Sequence, residues 1–224
     1  MKDKKVHFID CGSNVGIAID WAKEKYGENL LKVDAFEPEL KNYDTLLAKS
    51  YKEKDLDISV HLNAVWTKDE IRKFWVQHWG TRTGSSIIEK KEQVIREGQI
   101  LPSEYLGVRF QIAHEPGEMQ DDPYGNKIAM TDVHAPIMIT FLTQCIDLSK
   151  WIKKNVDKKN YNVIKIDIEG AEYEVIKHLM ESGAHEYIDE WLVEFTDEEK
   201  MSGDYDQEVV DSFKSTITNY KNWR

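Results

Sequence analysis

The stretch Phe8-Ile-Asp-Cys-Gly-Ser-Asn-Val-Gly16 decides the fold. A continuous apolar run, Val6 to Ile9, ends at Asp10, and glycines follow at 12 and 16. Behind them Ile17, Ile19, Trp21 and Ala22 begin a mostly apolar helix that ends near Gly27. Glycine suits such a turn because it reaches backbone angles other residues avoid and lets a ligand approach the main chain. The start of the helix adds oriented N–H groups suited to a carboxylate or phosphate. Working outward, a second strand runs from Lys32 to Pro38, a helix passes through Leu46 and Leu47, and Ile58 to Leu62 makes a third strand. Strands separated by helices of this length imply parallel pairing through right-handed crossovers.

The alternation resumes near the carboxyl end. Ile137 to Cys145 reads as a strand, Leu148 to Asn155 as a short helix, and Tyr161 to Asp167 as a buried strand. Ala171 to Met180 is a helix, Trp191 to Phe195 a further strand, and Asp206 to about Thr218 a last helix. The residues beyond leave room for one short strand. The fold class is therefore α/β, a Rossmann-like, doubly wound, mostly parallel sheet. Between about 66 and 136 the alternation breaks. Ile71 to Val76 and Gly84 to Ile88 read as strands, whereas Glu89 to Ala135 is polar and has little periodicity. Long insertions of this kind are usually functional, so we expect one domain over residues 1–224 whose insertion supplies extra strands and an acceptor-site lid.

Composition removes several alternatives. The 224 residues carry 41 Asp and Glu against 30 Lys and Arg, a net charge of −11, which is the wrong sign for gripping a nucleic-acid backbone. No apolar run approaches the roughly 18 residues of a membrane span, and the amino terminus lacks a signal-peptide core. A cytoplasmic location is expected. Cys11 and Cys145 have neither the number nor the spacing of a disulfide framework or zinc site.

The second strand ends in Glu37-Pro38, about twenty residues past the glycine turn. An acidic side chain there can accept both ribose hydroxyl protons of a nucleoside. The glycines are spaced too widely for a dinucleotide turn. With Asp10 ahead of Gly12, and Ser13, Asn14 and Gly16 completing the turn, the pattern points to S-adenosylmethionine. Its ammonium and carboxylate need both an acceptor and backbone donors. The third strand ends in Asn63-Ala64-Val65, a small apolar segment suited to an adenine face.

The remaining marker is Lys165-Ile-Asp-Ile-Glu-Gly-Ala-Glu172. Together DCGSNVG, AFEP, NAV and above all KIDIEGAE resemble the FkbM family of S-adenosylmethionine-dependent, class I methyltransferases. The resemblance covers roughly residues 6 to 65 and 137 to 196, with echoes in Gly84-Ser-Ser86, Cys145-Ile-Asp147 and Leu192-Val-Glu194. It implies an O-methyltransferase acting on a hydroxyl of a sugar or glycan, fused to or acting with glycosyltransferases. Alternatives are a non-sugar small-molecule or protein acceptor, or a degenerate cofactor-binding scaffold. The chain departs from the family pattern in its short segment before Val6, its long insertion and its short carboxy terminus; the first and third raise, as an alternative, one domain of a longer polypeptide.

A sugar hydroxyl is a weak nucleophile at neutral pH, so a base or a metal is expected beside it. Asp167, at the carboxyl end of a central strand, is the first candidate. Glu194 ends the next strand, and adjacent strands lie about 4.8 Å apart. Asp167 and Glu194, with Glu169, would then share Mg²⁺ or Mn²⁺, or act as a pair with one raised pKa. Glu169 and Glu172 also suit the first turn of a helix as complements to its dipole. His114 and His134 are candidates for acceptor contact or catalysis, although loop histidines are more often simply solvated. Trp75, Trp79, Tyr105 and Tyr124 offer flat faces for a sugar ring.

Overall fold

The computed structural model describes residues 4–77, 85–88, 119–121, 127–129, 138–196 and 206–223. Its centre is β1 (Val6–Cys11), every residue of which is buried. That burial on both faces is what the unbroken apolar run encodes. Gly16, at a φ of 84°, turns the chain into α1 (Ile17–Tyr26), and Gly27, at 51°, ends it. Then come β2 (Leu30–Phe36), α2 (Leu40–Ser50) and β3 (Asp57–His61). The Glu39 side chain caps α2 by accepting from the Asn42 N–H at 2.8 Å, satisfying one of the free donors of a helix start.

Next in the chain are β4 (Ala64–Trp66), β5 (Glu70–Gln77), β6 (Met119–Asp121), β7 (Lys127–Ala129) and β8 (Met138–Asp147). They are followed by α3 (Leu148–Asn155), β9 (Tyr161–Ile166), α4 (Glu172–Glu181) and β10 (Glu190–Val193), then α5 (Gln207–Thr216) and β11 (Tyr220–Asn222). Six strands form the main sheet in the order β11-β10-β9-β1-β2-β3, all parallel. The expected doubly wound α/β sheet is present. Its register sets Asp10 opposite Ala35 on one side and Lys165 on the other.

A second sheet, β4-β8-β5, pairs β4 parallel and β5 antiparallel to β8. Ala64, Val65, Phe74 and Val76 from it share one apolar core with Ile9, Ile164 and Ile166 of the main sheet. The opposite face of the main sheet packs Phe8, Val33, Val163 and Leu192 under Ala18, Ile19 and Ala22 of α1. Among the described residues no helix is long and apolar enough to cross a membrane.

Three readings of the sequence change. Asn63-Ala-Val65 is not the end of the third strand: β3 stops at His61, and Ala64–Trp66 belongs to the second sheet. A three-residue strand is too short to carry its own periodic signal. Of the strand expected over 84–88, residues 85–88 make only a bridge, in which Ser86 and Trp75 exchange backbone bonds at 2.7 and 2.9 Å. Within the stretch 89–135, β6 and β7 pair antiparallel where little periodic structure was expected. The one short strand expected after the last helix is β11, parallel to β10.

Candidate functional site

The turn after β1 is held from three directions. Gly12 and Ser13 donate their N–H groups to the Phe36 carbonyl at 3.2 and 3.0 Å, and the Ser13 hydroxyl donates to the Asp10 carbonyl at 2.9 Å. Asn14, itself left-handed with a φ of 49°, donates its N–H to Glu37 Oε2 at 2.8 Å. These three backbone donors are therefore engaged within the protein. The ones expected to meet a ligand's carboxylate are instead those at the start of α1, where Ile17 and Ala18 border the cavity described next.

That cavity, of about 620 Å³, opens at the carboxyl ends of β1, β2 and β9. Its size falls in the range of about 300–1,000 Å³ common to small-ligand sites, and its position is where open α/β sheets bind ligands. Gly12, Ser13, Asn14, Glu37 and Pro38 border it, as do Asn63, Ala64, Val65, Asp167 and Glu169. Asp10 and Gly16 do not. Asp10 is fully buried behind the turn, and Gly16 packs against Leu46 of α2. Glu194 also lies off the lining. Its own N–H donates to the Ile166 carbonyl at 2.9 Å, which continues the β9–β10 pairing. His114, His134, Trp79, Tyr105 and Tyr124 lie outside the described residues, as does most of the expected lid. Trp75 is half-buried and off the lining.

Glu37 is 5% exposed. One carboxylate oxygen accepts the Asn14 N–H and the other the Glu39 N–H, both at 2.8 Å, so each oxygen keeps acceptor capacity for a ligand hydroxyl. Burial pushes its pKa up to about 7, against the pull of those two N–H groups. The sign of the consequence is fixed. A ligand that needs two accepted hydroxyl bonds prefers the carboxylate, which is lost as the pH falls through about 7. Affinity for an adenosyl ligand is expected to be flat above pH ~8 and to drop about tenfold for each unit below ~6.5. Calorimetric titration across that range would show it, and an affinity that stays constant from pH ~8 to ~5.5 would refute it.

The residue that sequence reasoning passed over is Lys165. It lies on β9, 4% exposed at its side chain, with its ammonium 3.3 Å from Asp10 Oδ1 and 3.3 Å from Asp167 Oδ2. It donates to the Gly12 carbonyl at 2.7 Å. Burial works against its charge, but Asp10 and Asp167 outweigh that, and its pKa is raised. A lysine inside an otherwise apolar strand was the available signal, since a buried lysine has to be paired. Phe74 and Ile87 of the cavity wall, and Trp21 and Trp223 at its far end, were likewise not foreseen.

The arrangement does not fit the divalent cation expected between Asp167, Glu169 and Glu194. Among the described residues no three His, Cys, Asp or Glu side chains gather as metal ligands. The Asp167 carboxylate already faces an ammonium, which would repel a metal ion at that position.

Comparison with known proteins adds a family signal. A family model described as "Methyltransferase FkbM domain" matches residues 10–216. Among solved structures the chain is similar to the methyltransferase FkbM from Methylobacillus flagellatus, at 14% sequence identity and a TM-score of 0.44. The match covers 85% of this chain and 32% of that one, so the chain spans about a third of the length of the structure it matches. No curated protein matches.

Proposed function

The chain belongs to the FkbM methyltransferase domain family, and from that premise we propose that it is an S-adenosylmethionine-dependent O-methyltransferase acting on a hydroxyl of a sugar or glycan. The observation that carries the proposal is the cavity at the strand ends, into which the turn after β1, Glu37 and Asp167 all face. The donor set suits the cofactor. Glu37 would accept the ribose hydroxyls, the start of α1 would meet the carboxylate, and Ala64 and Val65 would lie against the base. When bound, the cofactor supplies an electrophilic methyl group on a cationic sulfur that leaves as a neutral thioether.

The protein's own contribution is placement and proton transfer. Holding an acceptor oxygen in line with the methyl carbon is the largest single effect available to such an enzyme. We assign the acceptor's proton to Asp167, the partly exposed carboxylate on the cavity wall. Val65 and Phe74 of the second sheet, with Ile87 beside the Ser86 bridge, close the cavity, which excludes water and strengthens electrostatic interactions at the reacting end. That apolar wall favours, as a second reading, a non-sugar acceptor with a hydrophobic body. A glycan acceptor would be supplied by glycosyltransferases, which are then the expected partners.

Calorimetry with S-adenosylhomocysteine tests the cofactor assignment. Wild type should bind saturably, and Glu37→Gln should weaken binding by about 10–100-fold, the size of one or two lost bonds to a charged acceptor. Absence of binding to wild type would remove the proposal. With binding established, labelled methyl donor offered to sugar and non-sugar alcohols separates the two acceptor readings.

A further inference from the structure

We infer that Lys165 is a positioning residue that makes the cavity selective for a nucleoside bearing an amino-acid tail, an inference that rests on the cofactor reading above. An ammonium has three N–H donors. At Lys165 three acceptors surround it: the Gly12 carbonyl at 2.7 Å, Asp10 Oδ1 at 3.3 Å and Asp167 Oδ2 at 3.3 Å. The Gly12 contact is a hydrogen bond and the two carboxylate contacts are ion pairs, so Lys165 acts through these protein groups.

Those groups matter because of where they sit. Gly12 opens the turn after β1, and Asp167 follows the neighbouring strand β9; both line the cavity. The ammonium ties one to the other across the Asp10–Lys165 register of the paired strands. With the ribose end at Glu37, the tail of an adenosyl ligand has to run over this tied segment. Glu37 is held separately, by the N–H groups of Asn14 and Glu39. Removing the lysine alone deprives Asp10 and Asp167 of their cation, a stability cost that bears on both ligands alike and that the comparison of ligands separates from positioning.

The test compares two ligands. S-adenosylhomocysteine carries the amino-acid tail, whereas methylthioadenosine keeps adenine, ribose and sulfur without it. In Lys165→Met, affinity for S-adenosylhomocysteine should fall about tenfold or more, as on losing charge-assisted hydrogen bonds, while methylthioadenosine binds within about twofold of wild type. Lys165→Arg, which keeps the cation, should restore most of the difference. An equal loss for both ligands, or no loss for either, overturns the inference. Should Lys165→Met not fold, Lys165→Gln, which removes the charge but keeps polar donors, takes its place: weaker S-adenosylhomocysteine binding with unchanged methylthioadenosine binding sustains the inference, and any other pattern overturns it. Wild type that binds neither ligand removes the cofactor reading instead, so the two failures are distinguishable.

Discussion

Gly12→Ala is expected to abolish ligand binding and to remove several kcal/mol of stability. Gly12 sits at a φ of +81°, and a Cβ there would lie 1.9 Å from the Asp167 carbonyl oxygen. The strain of a left-handed alanine alone costs about 1–2 kcal/mol. Overpacking usually adds about 1–3 kcal/mol, and here the obstacle is backbone rather than a side chain that can rotate away. The Asp167 N–H also donates to the Cys11 carbonyl at 3.2 Å, so Asp167 cannot retreat without parting β1 from β9 at the centre of the sheet. Such a loss is a large share of the roughly 5–15 kcal/mol that holds a domain folded. Gly27→Ala is the control, because Gly27 has a φ of +51° with nothing within 4 Å of an added Cβ. Denaturant unfolding should find it down by the strain term only. A Gly12→Ala protein as stable as Gly27→Ala would refute the close-contact account.

The same contact explains why part of the site could be read from the sequence and part could not. A glycine turn between an apolar strand and an apolar helix is local, and so is a strand ending in Glu37-Pro38; both features fall on the cavity's edge. The helix over Leu148–Asn155 was legible for a similar reason, since Asp147 caps it by accepting from the Lys150 N–H. What the sequence hid was anything set by pairing across the chain. Asp10 and Lys165 are 155 positions apart and meet only because β1 and β9 are neighbours. Ala64–Trp66 reads as the tail of β3, and only its ladder with Cys145–Asp147 assigns it to the second sheet. The expected metal site failed on the same point: neighbouring strands suggested carboxylates close together, but strand spacing says nothing of the lysine that already faces Asp167.

Glu172→Ala should be nearly as damaging as Gly12→Ala, though by a different route. Glu172 opens α4 in sequence, and an acidic residue there reads as a complement to the helix dipole. In the structure it is fully buried. Its Oε2 accepts the Gly170 N–H at 2.7 Å and its Oε1 accepts the Thr196 N–H. The neighbouring Tyr173 hydroxyl donates to the Thr196 carbonyl at 2.6 Å. One side chain thus joins the turn after β9, which carries Glu169 and Gly170 at φ values of 58° and 107°, to the segment after β10. Alanine would leave two buried N–H groups without partners, at about 1–3 kcal/mol each, and a cavity besides. A total of about 3–5 kcal/mol is expected in denaturant unfolding. Burial raises the Glu172 pKa above its ordinary 4.5, against the pull of the Thr196 and Gly170 bonds. The folded state therefore binds this proton more tightly than the unfolded chain does, and the associated stability is lost as the pH rises above ~4.5. Glu172→Gln, which cannot ionise, should flatten that part of the pH profile while keeping most of the volume. A Glu172→Ala protein that unfolds at the wild-type denaturant midpoint would show that the turn after β9 holds its left-handed pair without this carboxylate.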